Sequence, residues 1–177
     1  MGIDRWGSGH PVTSSTGASR SIRLAYDDVR YVRLARKAFE GWRRLEAAQD
    51  VTLLVETGQL DVGPGVKLEA LAAAMRAADA PFEELDDVAV RRRFPELVIG
   101  SDERALFHPD AGTVLADAGM RALAIDARDA GAELSMPERC VAIEIGADVV
   151  TVTTDRRTAR AERVVIAGGH GLATSYG

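Results

Sequence analysis

Cysteine is nearly absent from this chain: Cys140 is the single one in 177 residues, which excludes an intramolecular disulfide and any cysteine-based metal cluster. The three histidines, His10, His108 and His170, share no ligand spacing, so no metal site is expected. Excess positive charge is missing too. With 22 Lys+Arg against 27 Asp+Glu, the net charge is −5 and the pI about 5.3, the wrong sign for a general nucleic-acid or anionic-membrane binder. The short basic run Arg91-Arg92-Arg93 reads as a solvated helix face. No stretch approaches the roughly 20 apolar residues of a membrane span, and Met1 to Trp6 has no apolar leader core. These absences point to a soluble, cytoplasmic protein whose partner is a small molecule or another protein.

What is present, 46% hydrophobic and 28% charged residues, suits one ordinary soluble domain with a sizeable core. Gly2-Ile3-Asp4 reads as the end of a parallel strand. Gly7 to Arg20, rich in Gly, Ser, Thr and Pro, is predicted to be an irregular loop. From Asp27 to Gln49 apolar residues recur at threes and fours, the spacing of one buried helical face, and Arg30, Arg33, Arg36, Arg43 and Arg44 fall on its solvated side. Val51 to Val62, interrupted at Thr57-Gly58, predicts a bent strand or a strand pair. Helices are predicted over Leu68 to Ala78, after the breaker Gly63-Pro64-Gly65, and over Asp86 to Phe94, before Pro95. Pro109-Asp110-Ala111-Gly112 is a turn between short strands at Ala105 to His108 and Thr113 to Leu115. Ala116 to Asp129 is helical, and strands are expected at 133–135, 141–145, 149–153 and 163–167. The last of these, running into Gly168-Gly169, is apolar enough to be buried on both faces. The class is mixed α/β or α+β.

The run from Ser14-Ser15 through Gly17-Ala18-Ser19-Arg20-Ser21-Ile22-Arg23-Leu24-Ala25-Tyr26 resembles the G-x-[ST]-R-x-x-R-x-x-Y stretch of the monomeric sarcosine oxidase and N-methyltryptophan oxidase family. Thr57-Gly58-Gln59-Leu60, Arg93-Phe94-Pro95, Phe107-His108-Pro109-Asp110-Ala111-Gly112, Gly131-Ala132 and Gly168-Gly169 resemble further family motifs in the same order. The resemblance implies a partial FAD-binding, Rossmann-like domain with part of the substrate domain of a glutathione-reductase-like flavoprotein. Residues 1–50 and 116–177 would belong to the FAD-binding part and 51–115 to the substrate part.

It also implies roles. Asp4 would bind the adenosine ribose, and Arg20 would lie against the flavin ring, where a cation stabilises the charge of the reduced form. Arg23 would hold the carboxylate of an N-methyl amino acid through its planar fork. Ser15, Thr16, Gly17 and Ser19 would line the flavin side of the loop, Cys140 would contact the adenine through its backbone, and Gly168 and Gly169 would complete the cofactor-binding set. The family reaction is oxidative demethylation with release of hydrogen peroxide. In the family a G-x-G-x-x-G turn precedes the acid, and the flavin-linking cysteine, the oxygen-activating lysine and a second carboxylate-binding base lie in a C-terminal half, so both ends of this chain are expected to be cut. Gly7-Ser8-Gly9 and Gly169-His170-Gly171 only imitate such a turn: one follows the acid, and the other leaves no room for the helix whose N-terminus faces phosphate. Two further readings stay open: a non-catalytic remnant or split half that needs a complementing chain, and a carboxylate-binding module without flavin.

Overall fold

A computed structural model describes residues 1–7, 10, 13–15 and 17–169. In chain order its elements are β1 (Gly2–Ile3), β2 (Arg20–Ile22), α1 (Val29–Gln49), β3 (Leu54–Glu56), β4 (Gln59–Pro64), α2 (Gly65–Arg76), β5 (Glu83–Leu85) and α3 (Asp87–Arg93). There follow β6 (Glu103–His108), β7 (Gly112–Val114), α4 (Ala116–Asp129), β8 (Leu134–Ser135), β9 (Cys140–Ile145), β10 (Val150–Thr154) and β11 (Thr158–Ala161). The class is the mixed α/β one that the sequence predicts. Two compact units divide these elements, Ala18–Gly119 and a second made of Met1–Gly17 with Met120–Gly177. No described helix is long and apolar enough to cross a membrane.

In the first unit the Asp28 carboxylate accepts the Arg30 amide at 2.8 Å and starts α1. Asp50, left-handed at φ 52°, ends it. Glu46 then turns the chain: its Oε1 accepts the amides of Leu53 at 2.7 Å and Leu54 at 2.8 Å, aiming the residues after the helix into β3. α1 packs on α2 through a core of Leu24, Ala25, Val32, Leu68, Ala72, Met75 and Leu106. The arginines of α1 do more than face solvent. Arg33 and Arg36 donate to the Ala77 and Ala78 carbonyls just past the end of α2, and Arg43 pairs with Glu46 and Glu56. The breaker Gly63-Pro64-Gly65 is a direct junction between β4 and α2.

Two three-stranded sheets share this unit, ordered β2-β7-β3 and β4-β6-β5. The strands on either side of Pro109 to Ala111 therefore do not pair with each other, as a hairpin would. The chain changes sheet there, and changes sheet again at Thr57-Gly58. The two corners are joined, because the Ala111 carbonyl accepts the amides of both Thr57 at 3.1 Å and Gly58 at 2.9 Å. A Cβ on Gly112 would collide with the Val55 carbonyl, and one on Gly58, at φ 71°, with the Phe107 ring.

In the second unit β1 pairs in parallel with β8, Gly2 opposite Leu134 and Ile3 opposite Ser135, and β9, β10 and β11 form an antiparallel meander. A polar cluster ties the two together. Glu138, almost wholly buried, accepts the Thr154 hydroxyl at 2.6 Å and Arg157 Nε at 3.2 Å, while Arg157 also reaches Glu133 at 2.6 Å. Hydrogen bonds from Ser135 first, then from Thr154 and Arg157, hold the Glu138 carboxyl down at about 2. The expected strand at 163–167 is absent. Val164 to Gly169 lies outside any strand, with Val165 90% exposed; a doubly buried parallel strand needs a ladder partner on each side, and no described strand pairs with it.

Two outcomes follow. Gly112→Ala is expected to cost about 1–3 kcal/mol by forcing backbone apart, whereas Gly63→Ala, with open space at its Cβ, should stay within about 0.5 kcal/mol of the parent; urea titration compares them. Because the Glu138 carboxyl sits below its ordinary 4.5, its stabilisation is present above that pH and lost as pH falls toward about 2. The acid limb of the melting-temperature profile should flatten in Glu138→Gln, and an unchanged limb would exclude this cluster as its source.

Candidate functional site

Arg20 opens β2, opposite Val114 of β7, and Ile22 closes it opposite Gly112. Arg23 is thus the first residue past the strand, at the corner formed by Pro109 to Ala111. Both guanidinium groups are exposed. Arg20 Nη1 donates to the Ser19 carbonyl at 2.8 Å, and Arg23 lies over the Tyr26 ring with 5.4 Å between guanidinium carbon and centroid. Tyr26 itself is partly buried against the core that holds Leu24 and Ala25, so the segment after Arg23 is anchored by its apolar residues and leaves its cations in water. Ser15 and Ser19 are exposed and Gly17 half-buried at φ 131°; Thr16 lies outside the described residues.

Behind this corner lies a group that sequence reading placed in a turn as a structural residue. His108 ends β6 and is completely buried. Its Nε2 lies 3.2 Å from Asp61 Oδ2, and Gln59 Nε2 donates to both Asp61 oxygens at 3.0 and 3.1 Å. A carboxylate can only accept, so Nε2 carries the proton and Nδ1 is an acceptor. Nδ1 is buried and has no partner among the described residues. Burial holds the imidazole below its ordinary range, with the Arg23 charge acting the same way; Asp61 and Asp110 oppose both, and burial wins. The ring is therefore neutral near pH 7. The sequence carried one signal of this pair, an acid within an apolar strand, but its partner is 47 residues away.

In the other unit Asp4 follows β1 directly, at the carboxyl end of a parallel pair, where open α/β sheets bind ligands. Its Oδ1 accepts the amides of Trp6 at 2.7 Å and Gly7 at 3.2 Å, and its backbone bonds Ser135 and Glu138. Trp6 stacks on His10 at 4.4 Å. Cys140 begins β9, with its thiol 3.7 Å from the Ala142 carbonyl. Gly168 and Gly169 are exposed and outside any strand. Asp4, Ser15 and Cys140 share the second unit while Ser19, Arg20 and Arg23 belong to the first. Among the described residues no cluster of three His, Cys, Asp or Glu could hold a metal ion.

A family model for FAD-dependent oxidoreductases matches residues 6–176. The chain belongs to that family. It is 34% identical to monomeric sarcosine oxidase of Streptomyces avermitilis over 96% of its own length and 45% of that protein's, and 28% identical to N-methyl-L-tryptophan oxidase of Citrobacter koseri over 90% and 44%. Among solved structures it resembles NikD, an unusual amino acid oxidase essential for nikkomycin biosynthesis, at TM-score 0.77 and 32% identity, covering 94% of this chain and 44% of that one. Glycine oxidase from Geobacillus kaustophilus, at TM-score 0.73 and 22% identity, shares the fold. The chain spans about 45% of the length of these relatives.

The cofactor of the family is FAD, and the residues present suit parts of it. An exposed carboxylate at the end of a parallel strand suits the hydroxyls of a ribose, and an exposed guanidinium suits an anionic ring. The pyrophosphate has no such match: no described helix begins within the unit that holds Asp4, so no helix N-terminus is available there to receive phosphate.

The buried imidazole has a measurable consequence. An unfolded His108 would take a proton near pH 6.5 and the folded one only at lower pH, so its contribution to stability is whole above that value and is lost as pH falls below it. The melting temperature is expected to drop as pH falls below about 6.5 in the parent and to lose this component in His108→Gln; identical profiles would mean that His108 titrates as it does in the unfolded chain.

Proposed function

We propose that this chain supplies part of the active site of an FAD-dependent oxidase that demethylates sarcosine or another N-methyl amino acid with release of hydrogen peroxide, in a reducing cytoplasm. The observation that supports this reading most is a family match over residues 6–176 that includes a corner presenting two exposed guanidinium groups, Arg20 and Arg23. In this reading residues 1–50 and 116–177 serve FAD and 51–115 serve the substrate. Arg20 lies against the flavin ring, and its fixed positive charge favours the electron-rich form. Arg23 pairs with the substrate carboxylate, the two-pronged contact for which a guanidinium is shaped. Asp4 takes the ribose hydroxyls, the Cys140 backbone meets the adenine, Ser15, Thr16, Gly17 and Ser19 line the loop side, and Gly168 and Gly169 allow close approach. FAD, when bound, supplies the acceptor for the hydride equivalent from the N-methyl carbon and passes the electrons to dioxygen.

A second element of the proposal is a complement, on the same polypeptide or on another chain, that provides the pyrophosphate cradle. Two observations favour it: the match reaches only about 45% of its relatives' length, and the apolar run Val164 to Ala167 has no ladder partner among the described residues.

The test is to incubate the chain with FAD, remove unbound cofactor, record the visible spectrum and follow peroxide release from sarcosine. The chain of 177 residues is expected to come through colourless and inactive, and to retain flavin absorbance and release peroxide once joined to the segments that complete the fold of its relatives. Flavin held by the chain alone would remove the need for a complement, and a complemented protein that stays colourless would overturn the oxidase reading.

A further inference from the structure

The Gln59–Asp61–His108 group is left without a task by the oxidase reading, yet burying it carries a cost. A fully buried imidazole with one unmatched nitrogen forfeits a hydrogen bond that water would have given it. Two strands, β4 and β6, position it. The register sets Gln59 opposite His108 and Asp61 opposite Leu106, so all three polar side chains lie on the sheet face that meets Leu24 and Ala25 through Leu106. From the other sheet, Ile22 stands opposite Gly112, which brings Arg23 to the corner 109–111, and His108 is the residue that enters that corner.

We propose that carboxylate binding at Arg23 is coupled to protonation of His108, so that this buried dyad sets how the site's affinity for carboxylates varies with pH. The inference rests on the assignment of Arg23 as the carboxylate ligand. The charged groups that face His108 are Asp61 from β4, Asp110 from the turn after β6, and Arg23 from the segment after β2. Of these only Arg23 opposes a second positive charge, and only Arg23 is open to an external anion. A carboxylate seated on the guanidinium cancels most of its field at the imidazole, and the ring then accepts a proton that Asp61 is already placed to stabilise. Coupling between two sites is reciprocal, so a protonated His108 strengthens carboxylate binding by the same factor by which the carboxylate favours the proton. The unmatched Nδ1 is the atom that gains the proton, since Nε2 already holds one toward Asp61. Affinity thus rises as pH falls through the titration of His108, about fivefold at the low end of ordinary coupling between sites.

The experiment is an NMR titration, with sarcosine as the probe, of the chain joined to the segments that complete the fold of its relatives. Imidazole Cε1–H shifts are followed against pH, and the His108 signal is identified by its loss in His108→Gln. Saturating sarcosine is expected to move the His108 midpoint up by about 0.7 in pH, the equivalent of fivefold coupling, and this move should vanish in Arg23→Gln, whose exposed side chain can be changed without disturbing the core. Asp61→Asn, which keeps the shape and removes the charge, should leave Arg23-dependent binding in place and reduce its pH dependence. Sarcosine that binds through Arg23 while the His108 midpoint stays fixed overturns this inference and leaves the assignment of Arg23 standing. A move that persists in Arg23→Gln also overturns it. Absence of any Arg23-dependent binding overturns the assignment, and the inference with it.

Discussion

The Ala111 carbonyl, holding the amides of Thr57 and Gly58 together, is the contact on which the larger unit depends. It joins two places where the chain leaves one small sheet for another, so neither sheet can slide without breaking both corners. The glycines beside it make the contact possible. Gly112 brings β7 against the Val55 carbonyl, and Gly58 turns under the Phe107 ring; a methyl group at either place would separate the corners and let the register slip. β7 then pairs on both sides, with β2 and β3, and the position of Arg20 follows. An exposed guanidinium thus stands on a strand held by the central strand of its sheet, an economical way to place a charge accurately.

Polar burial is handled differently in the two units. Around Glu138 the polar atoms support one another: hydroxyl and guanidinium donors converge on one carboxylate, and the two strand systems of that unit are tied by their agreement. Around His108 the network is incomplete, because Asp61, itself held by Gln59, satisfies one ring nitrogen and the other has no partner among the described residues. The first arrangement has a single protonation state over the whole neutral range. The second is held toward the neutral ring by burial and by the charge of Arg23, against Asp61 and Asp110.

Much of this was legible in the sequence. All four helices were expected near where they lie, the second starting at Gly65, earlier than its apolar spacing from Leu68 suggests, and Asp28 and Asp86 cap the first and third by accepting amides in the first turn. The chain-wide order of short motifs pointed to the flavoprotein fold before any element was placed. The sheet changes were not legible, since Pro109 to Gly112 has the composition of a hairpin turn, and only long-range pairing reveals that its two strands part company. Nor was the His108–Asp61 pair, because a contact across 47 residues leaves no local period. Arg93 shows the same limit: one of three consecutive arginines that read as a solvated face, it lies 4.0 Å over the Phe107 ring and pairs with Glu83.

Two segments, one that sequence reading passed over and one that it misread as a strand, make the cause explicit. Glu83-Glu84-Leu85 carries residues depleted in strands, yet it forms β5, because β6 offers it a ladder and Arg93 and Arg76 neutralise its two carboxylates. Charges of that kind also suit an edge strand, where they discourage pairing with another chain. Val164 to Ala167 has the opposite character, apolar throughout and β-branched at its first three residues, and no strand forms, since no described strand pairs with it. Intrinsic preference would rank these segments in the reverse order. A ladder partner outweighs side-chain preference, because every unpaired amide and carbonyl removed from water costs more than the roughly 1 kcal/mol that separates good strand formers from poor ones.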